Sequence, residues 1–353
     1  MVKNRLSRRS SLLVVIIIVL VSVLLYYLHA NTILTFLAIA AALAAITRVL
    51  AESTRIIAER VSNTIAALAN VTFGNAVEFF IAIFALRQGL VEMVKASIVG
   101  SIIVNVLLLI GLSMFIGGLK YQEQKFNKDS SGLYSTMLMV VVVGLGLPSL
   151  YVILVGKPES MSLSVSIVLG TIYILSLLYT LVTHRHLFVV ERDLPQEDHK
   201  RSSTIATISV LIGATLLLGF ESQLLVNTVK PFIMSTGLTQ TFIGLVVVAL
   251  LTNVPELMTA ISFAYQDNMT LSLEIGMSSA LQIALFVVPV LVLVSPVVTG
   301  NALSLVFTPF ELIAVVITAM LANYIGSDGV CHWVEGAELV AVYLLIAIVF
   351  SFL

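Results

Sequence analysis

The chain has 353 residues, 59% of them hydrophobic and 10% charged, with a mean hydropathy of +1.11 and a formal net charge of −1. That composition excludes a soluble globular domain, and without a basic patch interleaved with aromatics it excludes a nucleic-acid binder. The single cysteine, Cys331, excludes a disulfide framework and a cysteine-based zinc site.

Apolar runs of about 20 residues recur almost end to end, the pattern of a polytopic helical membrane protein. Lys3, Arg5, Arg8 and Arg9 precede a run from Ser11 to Leu28. The run is long for a signal peptide and no small-x-small cleavage site follows, so it reads as a retained first helix. Eleven spans are predicted in all: 11–29, 32–50, 61–86, 92–117, 132–155, 160–183, 203–226, 239–265, 271–295, 304–325 and 335–353. The breaks are turn-like: Ala30-Asn31, Arg87-Gln88-Gly89, Gly117-Gly118, Gly156-Lys157-Pro158, Asp267-Asn268 and Gly326-Ser327-Asp328-Gly329.

Charge sets the orientation. With the N-terminus in the cytosol, fourteen of the eighteen basic residues lie inside, and only Arg87, Lys95, Lys157 and Lys230 lie outside. Residues 1–31 then hold the basic segment and helix 1, 32–183 a first repeat of helices 2–6, and 203–353 a second repeat of helices 7–11. Five helices per half is odd, so the halves run in opposite senses and the C-terminus lies outside. The fold class is therefore all-α, helix 1 plus two inverted five-helix repeats. The polar loop 184–202, with Glu191, Asp193, Glu197 and Asp198, joins the halves on the cytosolic side. It reads as a solvated linker or as an acidic segment that gathers cations.

Two short motifs carry the chemistry. Residues 74–78 read Gly-Asn-Ala-Val-Glu, and residues 252–256 read Thr-Asn-Val-Pro-Glu. Each sets a carboxylate, Glu78 or Glu256, inside an apolar span, three residues after an amide, Asn75 or Asn253. Each has a helix breaker nearby, Gly74 or Pro255. A charge at mid-membrane costs about 2.5–3.5 kcal/mol on insertion scales. Helix 4 then offers Ser101 and Asn105, and helix 9 offers Ser278, Ser279 and Gln282. The interval from Glu78 to Ser101 equals that from Glu256 to Ser279. These are hard oxygen donors, which suit Ca2+ and count against Zn2+ or Cu+. Two carboxylates balance one divalent charge, and when empty they repel each other, so protons bind instead. The site would hold either one cation or protons.

The competing readings are structural. A lone buried Glu can be a packing acid, and small polar residues often hold membrane helices together. Two matching Asn-x-x-Glu units weigh against the first. The other acids, Glu52, Glu59, Glu92, Glu221, Glu274, Glu335 and Glu338, fall at or near predicted helix ends, and Glu311 lies in the first turns of helix 10, on an access path or facing headgroups. All five histidines fall at helix ends or in loops.

The paired motifs resemble the signature repeats of the Ca2+/H+ exchanger branch of the cation/Ca2+ exchanger superfamily. The resemblance runs from Gly74-Asn-Ala-Val-Glu78 to Gly100-Ser-Ile-Ile-Val-Asn105, and from Asn253-Val-Pro-Glu256 to Ser279-Ala-Leu-Gln-Ile-Ala-Leu-Phe286. The stretch Phe307-Thr-Pro-Phe-Glu311, with Asn323, Asp328-Gly329 and Trp333-Val-Glu335-Gly336, is similar to that family's last two helices. Ser278 departs from the pattern, which usually has Gly there. The resemblance implies that Glu78 and Glu256 are the central cation and proton acids, with Asn75, Asn253, Asn105 and Gln282 as their polar neighbours. Ser101 and Ser279 complete the expected set.

The sequence thus points to an antiporter moving Ca2+ out of the cytosol against H+, in a lipid bilayer, most simply a prokaryotic cell membrane. The alternatives are a Na+/Ca2+ exchanger of the same superfamily, or a cation channel. With no histidine-based metal motif or nucleophile–base pair in the membrane, it is not expected to be an enzyme. Whether it is a monomer or a homo-oligomer stays open.

Overall fold

A computed structural model describes residues 2–58, 60–61, 63–157, 160–183 and 204–353. The acidic linker 184–202, and with it His184, His186 and His199, lies outside the described residues.

Helix α1 spans Val2–Tyr27 and α2 spans Thr32–Ala58. α3 (Asn63–Gly74) and α4 (Ala76–Arg87) are separated by one non-helical residue, Asn75. α5 runs over Val91–Tyr121, β1 over Glu123–Lys125, α6 over Lys128–Val155, α7 over Ser162–Thr183 and α8 over Thr204–Thr236. α9 (Gln240–Thr252) and α10 (Val254–Tyr265) meet at a 54° bend. α11 (Met269–Thr299), α12 (Pro309–Ile325), β2 (Val330–His332) and α13 (Trp333–Ser351) complete the order. Seven helices, α2, α5, α6, α7, α8, α11 and α13, are long and apolar enough to cross a membrane, and the bent α9–α10 pair makes up to eight. Apolar stretches in α1 (Leu12–Tyr27) and α12 are shorter. Large side chains such as Leu154 and Val297 stand exposed, as a lipid-facing surface requires.

Packing divides the chain into two compact units. One comprises Met1–Ala85 and Asp193–Leu238, and the other Leu86–Arg192 and Thr239–Leu353. This division follows contacts, whereas the halves 32–183 and 203–353 follow the sequence repeat; the first unit draws helices from both halves.

In the first unit α2 packs along α8 and α1. Phe36 of α2 stacks on Phe232 of α8 at 4.2 Å between ring centres. That contact explains why α8 runs past its expected end at 226, through Lys230 and Pro231, to Thr236: Val229 and Phe232 are buried. A proline inside a membrane helix is tolerated where neighbouring helices hold the chain.

In the second unit α5 is the central post, buried over most of its length. α9, α10, α11, α12 and α13 pack on it. α6 lies against α11 and α12, and α7 against α11. β1 and β2 pair antiparallel with Gln124 opposite Cys331. The Gln124 amide donates to the Ala264 carbonyl (2.9 Å) and to Asp267 Oδ1 (3.0 Å).

Two boundary expectations are corrected. Gly117-Gly118 is not a turn: α5 continues through both to Tyr121, and the chain turns at Gln122, with φ of 64°. Gly118 is instead a packing residue, because a Cβ there would lie 2.6 Å from the Trp333 backbone nitrogen. The tenth span starts at Pro309, not 304. Residues 302–308 are non-helical, and serines meet alternate backbone donors there: Leu305 N–H donates to Ser162 Oγ (2.7 Å) and Phe307 N–H to Ser149 Oγ (2.8 Å). The other predicted breaks at Gly89, Gly156, Asp267 and Gly329 all carry positive φ.

Candidate functional site

Both motif helices break at their asparagine. Asn75 interrupts α3 and α4, and Asn253 interrupts α9 and α10. Glu78 and Glu256 consequently lie in the first turns of α4 and α10. Each Asn is thus a break, and each Glu follows it at a fresh helix N-terminus. Unpaired N–H groups and the positive end of the helix dipole there favour a carboxylate. At the second break the cause is legible. Pro255 occupies the first turn of α10, where its missing N–H is no loss, and it disfavours helical backbone just before it. At the first break, a Cβ on Gly74 would have no neighbour nearer than 4.0 Å, so Gly74 does not serve close approach between helices.

The second unit assembles four of the expected residues. Gly100 of α5 lies against the backbone of Leu245 of α9, and Gly244 against the Met93 carbonyl, so the two helices touch backbone to backbone. This approach sets Ser101 and Asn105 beside the break. The Asn105 amide donates from Nδ2 to Asn253 Oδ1 (2.7 Å) and to Ser279 Oγ (3.0 Å). The Asn253 amide donates to Ser101 Oγ (3.2 Å), to Thr252 Oγ1 (3.2 Å) and to the Ala249 carbonyl (2.7 Å). Asn253 therefore caps nothing with its side chain; it ties α9 to α5. Ser101, Asn105 and Asn253 are all buried, and Ser279 is half-buried.

The network fixes which way the amides face. Their Nδ2 groups are committed, and Asn253 Oδ1 already accepts. Asn105 Oδ1 is left buried with no hydrogen-bond partner among the described residues, as is Glu256 Oε2. An unmet buried oxygen costs about 1–3 kcal/mol, so two of them call for a ligand that accepts lone pairs: a cation or a proton. Gln282 is half-buried on α11, three residues beyond Ser279. Ser278 turns its hydroxyl to its own helix, on the Ile275 carbonyl (3.4 Å). Asn75, buried, and Glu78, half-buried, belong to the first unit. Among the described residues no three of His, Cys, Asp and Glu group as a metal cluster.

Several features escaped the sequence reading. Asn105 lies in a π-helical segment, Val104–Leu109, and a second, Ile283–Val287, follows Gln282 directly. Such wide turns recur at functional sites. Glu311 has a local role that the sequence did not show. It is buried in a capping box, its Oε2 accepting from the Thr308 N–H (2.8 Å) and hydroxyl (2.9 Å). Glu221 is not at a helix end but deep in α8, fully buried. Glu274 is within α11 and takes a hydrogen bond from Ser130.

The profile of the family described as sodium/calcium exchanger protein matches residues 31–182 and 206–352. The chain belongs to this family. A Ca(2+)/H(+) antiporter of Synechocystis is 39% identical over 81% of this chain and 82% of its own length. The Ca(2+)/H(+) antiporter ChaA of Bacillus subtilis is 39% identical over 82% of this chain and 84% of its own. Among solved structures, native YfkE matches with a TM-score of 0.83 at 33% identity, over 97% of this chain and 99% of that one. The H+/Ca2+ exchanger CAX shares the fold at 15% identity, with a TM-score of 0.75 over 98% of this chain and 92% of its own. The chain is thus an integral membrane transporter of the cation/Ca2+ exchanger superfamily, resembling its Ca2+/H+ members.

Proposed function

We propose that the protein is a secondary antiporter that exchanges cytosolic Ca2+ for protons, with Glu78 and Glu256 as the paired acids. The observation that carries this reading is the matched break: each glutamate begins a new helix directly after a non-helical asparagine, at equivalent places of the sequence repeat. Asn105, Asn253, Ser101 and Ser279 form a bonded frame within the second unit, and Asn75 and Gln282 are assigned to the site by the repeat. The free oxygens of Glu256 and Asn105 are hard donors suited to Ca2+ as cargo. When the cation leaves, protons neutralise the acids, and the two titrate as a coupled pair. Ca2+ and H+ are transported ions here, and the chain performs no chemical step on them.

Counting the broken pairs α3–α4 and α9–α10 as one span each, and including α1 and α12, gives the eleven spans of the inverted-repeat reading. We place the N-terminus in the cytosol of a prokaryotic cell. The test is uptake of radioactive Ca2+ into proteoliposomes, with a proton gradient imposed and then collapsed. Uptake should follow the gradient and vanish in Glu78→Gln and Glu256→Gln, while both variants still purify as folded protein. Uptake that follows a sodium gradient, or survives either substitution, overturns the reading.

A further inference from the structure

Glu221 lies near the middle of the 33-residue helix α8 and is 0% exposed. It belongs to the first unit, and the frame built by Asn105 and Asn253 belongs to the second. Its partner is Ser22 of α1, whose Oγ is 2.8 Å from Glu221 Oε1. The same Oγ is 2.7 Å from the Val19 carbonyl of its own helix. A serine hydroxyl has one proton and two lone pairs, and a backbone carbonyl can only accept. If the serine proton goes to Val19, the contact with Oε1 needs a proton from Glu221. If Glu221 is ionised, Ser22 must give its proton to the carboxylate and abandon Val19. The two contacts are both fully made only when the acid is protonated.

Among the described residues, the contacts of Glu221 include no counter-charge. Leu12–Tyr27 of α1 contains no charged residue. On α2, Arg48, Glu52 and Arg55 are all exposed, and Thr47 is committed to the Leu43 carbonyl. On α8 itself Lys230 is exposed, and Tyr26 of α1 takes a hydrogen bond from Asn227. α3 carries no charge. Oε2 of Glu221 is buried with no partner among the described residues. The adjoining α4 carries two charged residues, Glu78 in its first turn and the exposed Arg87 in its last. Phe80, two residues after it, lies over Gly219, two residues before Glu221: a Cβ on Gly219 would be 3.6 Å from Phe80 Cε1. The buried acid thus shares a unit with the helix that holds one of the paired acids.

We propose that Glu221 and Ser22 form a proton-binding site separate from the paired acids. Losing its proton to water switches the Ser22 hydroxyl from Val19 to the carboxylate, so the α1–α8 joint differs between the two forms. This rests on the exchange reading only for its role in transport; the site itself can be tested without transport.

Infrared difference spectra of the purified protein, recorded between acid and alkaline buffer, read the C=O band of a protonated carboxyl directly. A band present in the wild type should be lost in Glu221→Gln and shifted in Ser22→Ala, which retains the acid but removes its partner. In proteoliposomes, the slope of log Ca2+ uptake against pH should fall by about one in Glu221→Gln. A wild-type spectrum matched by Glu221→Gln overturns the proposal. Should Glu221→Gln not fold, an unshifted band in Ser22→Ala does the same. Wild-type uptake indifferent to protons would fail the exchange reading alone, and the infrared band would still decide Glu221.

Discussion

Gly100→Ala tests whether the site depends on the backbone contact between α5 and α9. An added Cβ would meet the Leu245 backbone, with its Cα at 2.6 Å and its carbonyl oxygen nearer still. Neither is a flexible side-chain end, so the helices themselves must part. Ordinary contact begins near 3.4 Å, which requires at least about 0.8 Å of separation at the Cα and more at the carbonyl oxygen. Ser101 is the next residue on α5, and its 3.2 Å contact with Asn253 would then stretch to about 4 Å, outside hydrogen-bonding range. Overpacking costs about 1–3 kcal/mol, and each lost hydrogen bond about 0.5–1.5 kcal/mol more. A loss of only about 1.4 kcal/mol from the bound state is a tenfold loss of affinity. Ca2+ binding to purified protein, followed by calorimetry, should weaken at least tenfold. Gly146→Ala is the control, since a Cβ there meets nothing within 4 Å. A Gly100→Ala protein that binds Ca2+ like the control would refute the argument.

Asn105→Ala removes the amide that donates to both Asn253 and Ser279, and it should cost about 1–3 kcal/mol, seen as a roughly tenfold weaker Ca2+ affinity. Wild-type affinity would show that the amide frame is dispensable. Thr308→Ala deletes the hydroxyl of the α12 capping box and should lower stability by about 1 kcal/mol, measured as a reduced melting temperature in detergent, with Ca2+ uptake per folded molecule preserved. Loss of uptake without loss of stability would return Glu311 to the transport path. The Cys331 thiol is pushed up to about 12, first by burial and then by the charges of Glu335, Asp328 and Asp267. Thiolate is therefore scarce at neutral pH, and maleimide labelling of native protein should be far slower than after unfolding and should rise with pH. Equal rates would contradict the buried β1–β2 pairing.

The helix breaks were readable because they depend on local residues. Asn75 and Asn253 recur at equal spacing from their glutamates, and Pro255 fixes where α10 can begin. Ser101, Asn105, Asn253 and Ser279 were readable as a group through the equal Glu-to-Ser intervals of the repeat, although their bonding pattern was not. Glu221 was misplaced because hydropathy locates span ends by average polarity, and Asn227, Lys230 and Pro231 mimic an end that the Phe36–Phe232 stack overrides. Gly117-Gly118 carried a turn signal, yet the close approach of Trp333, from the start of the last helix, is what uses the glycine at 118. The π-helical segments have no residue signature at all. They do bear on one offset in the repeat: Asn105 stands four residues after its serine and Gln282 three after its own, and a wide turn falls at each place.

The β1–β2 ribbon has a consequence for the order of assembly. Glu123 pairs with His332, a partner from beyond α12 in the sequence. During synthesis, residues 123–125 leave the ribosome with their edge unpaired and must wait while the helices from α6 to α12 are made. The ribbon can close only after α12 has been made and Val330–His332 has followed it. It is therefore a late seal, and a chain truncated before Val330 would keep an open strand edge at β1, where surveillance proteases and mispairing partners find purchase.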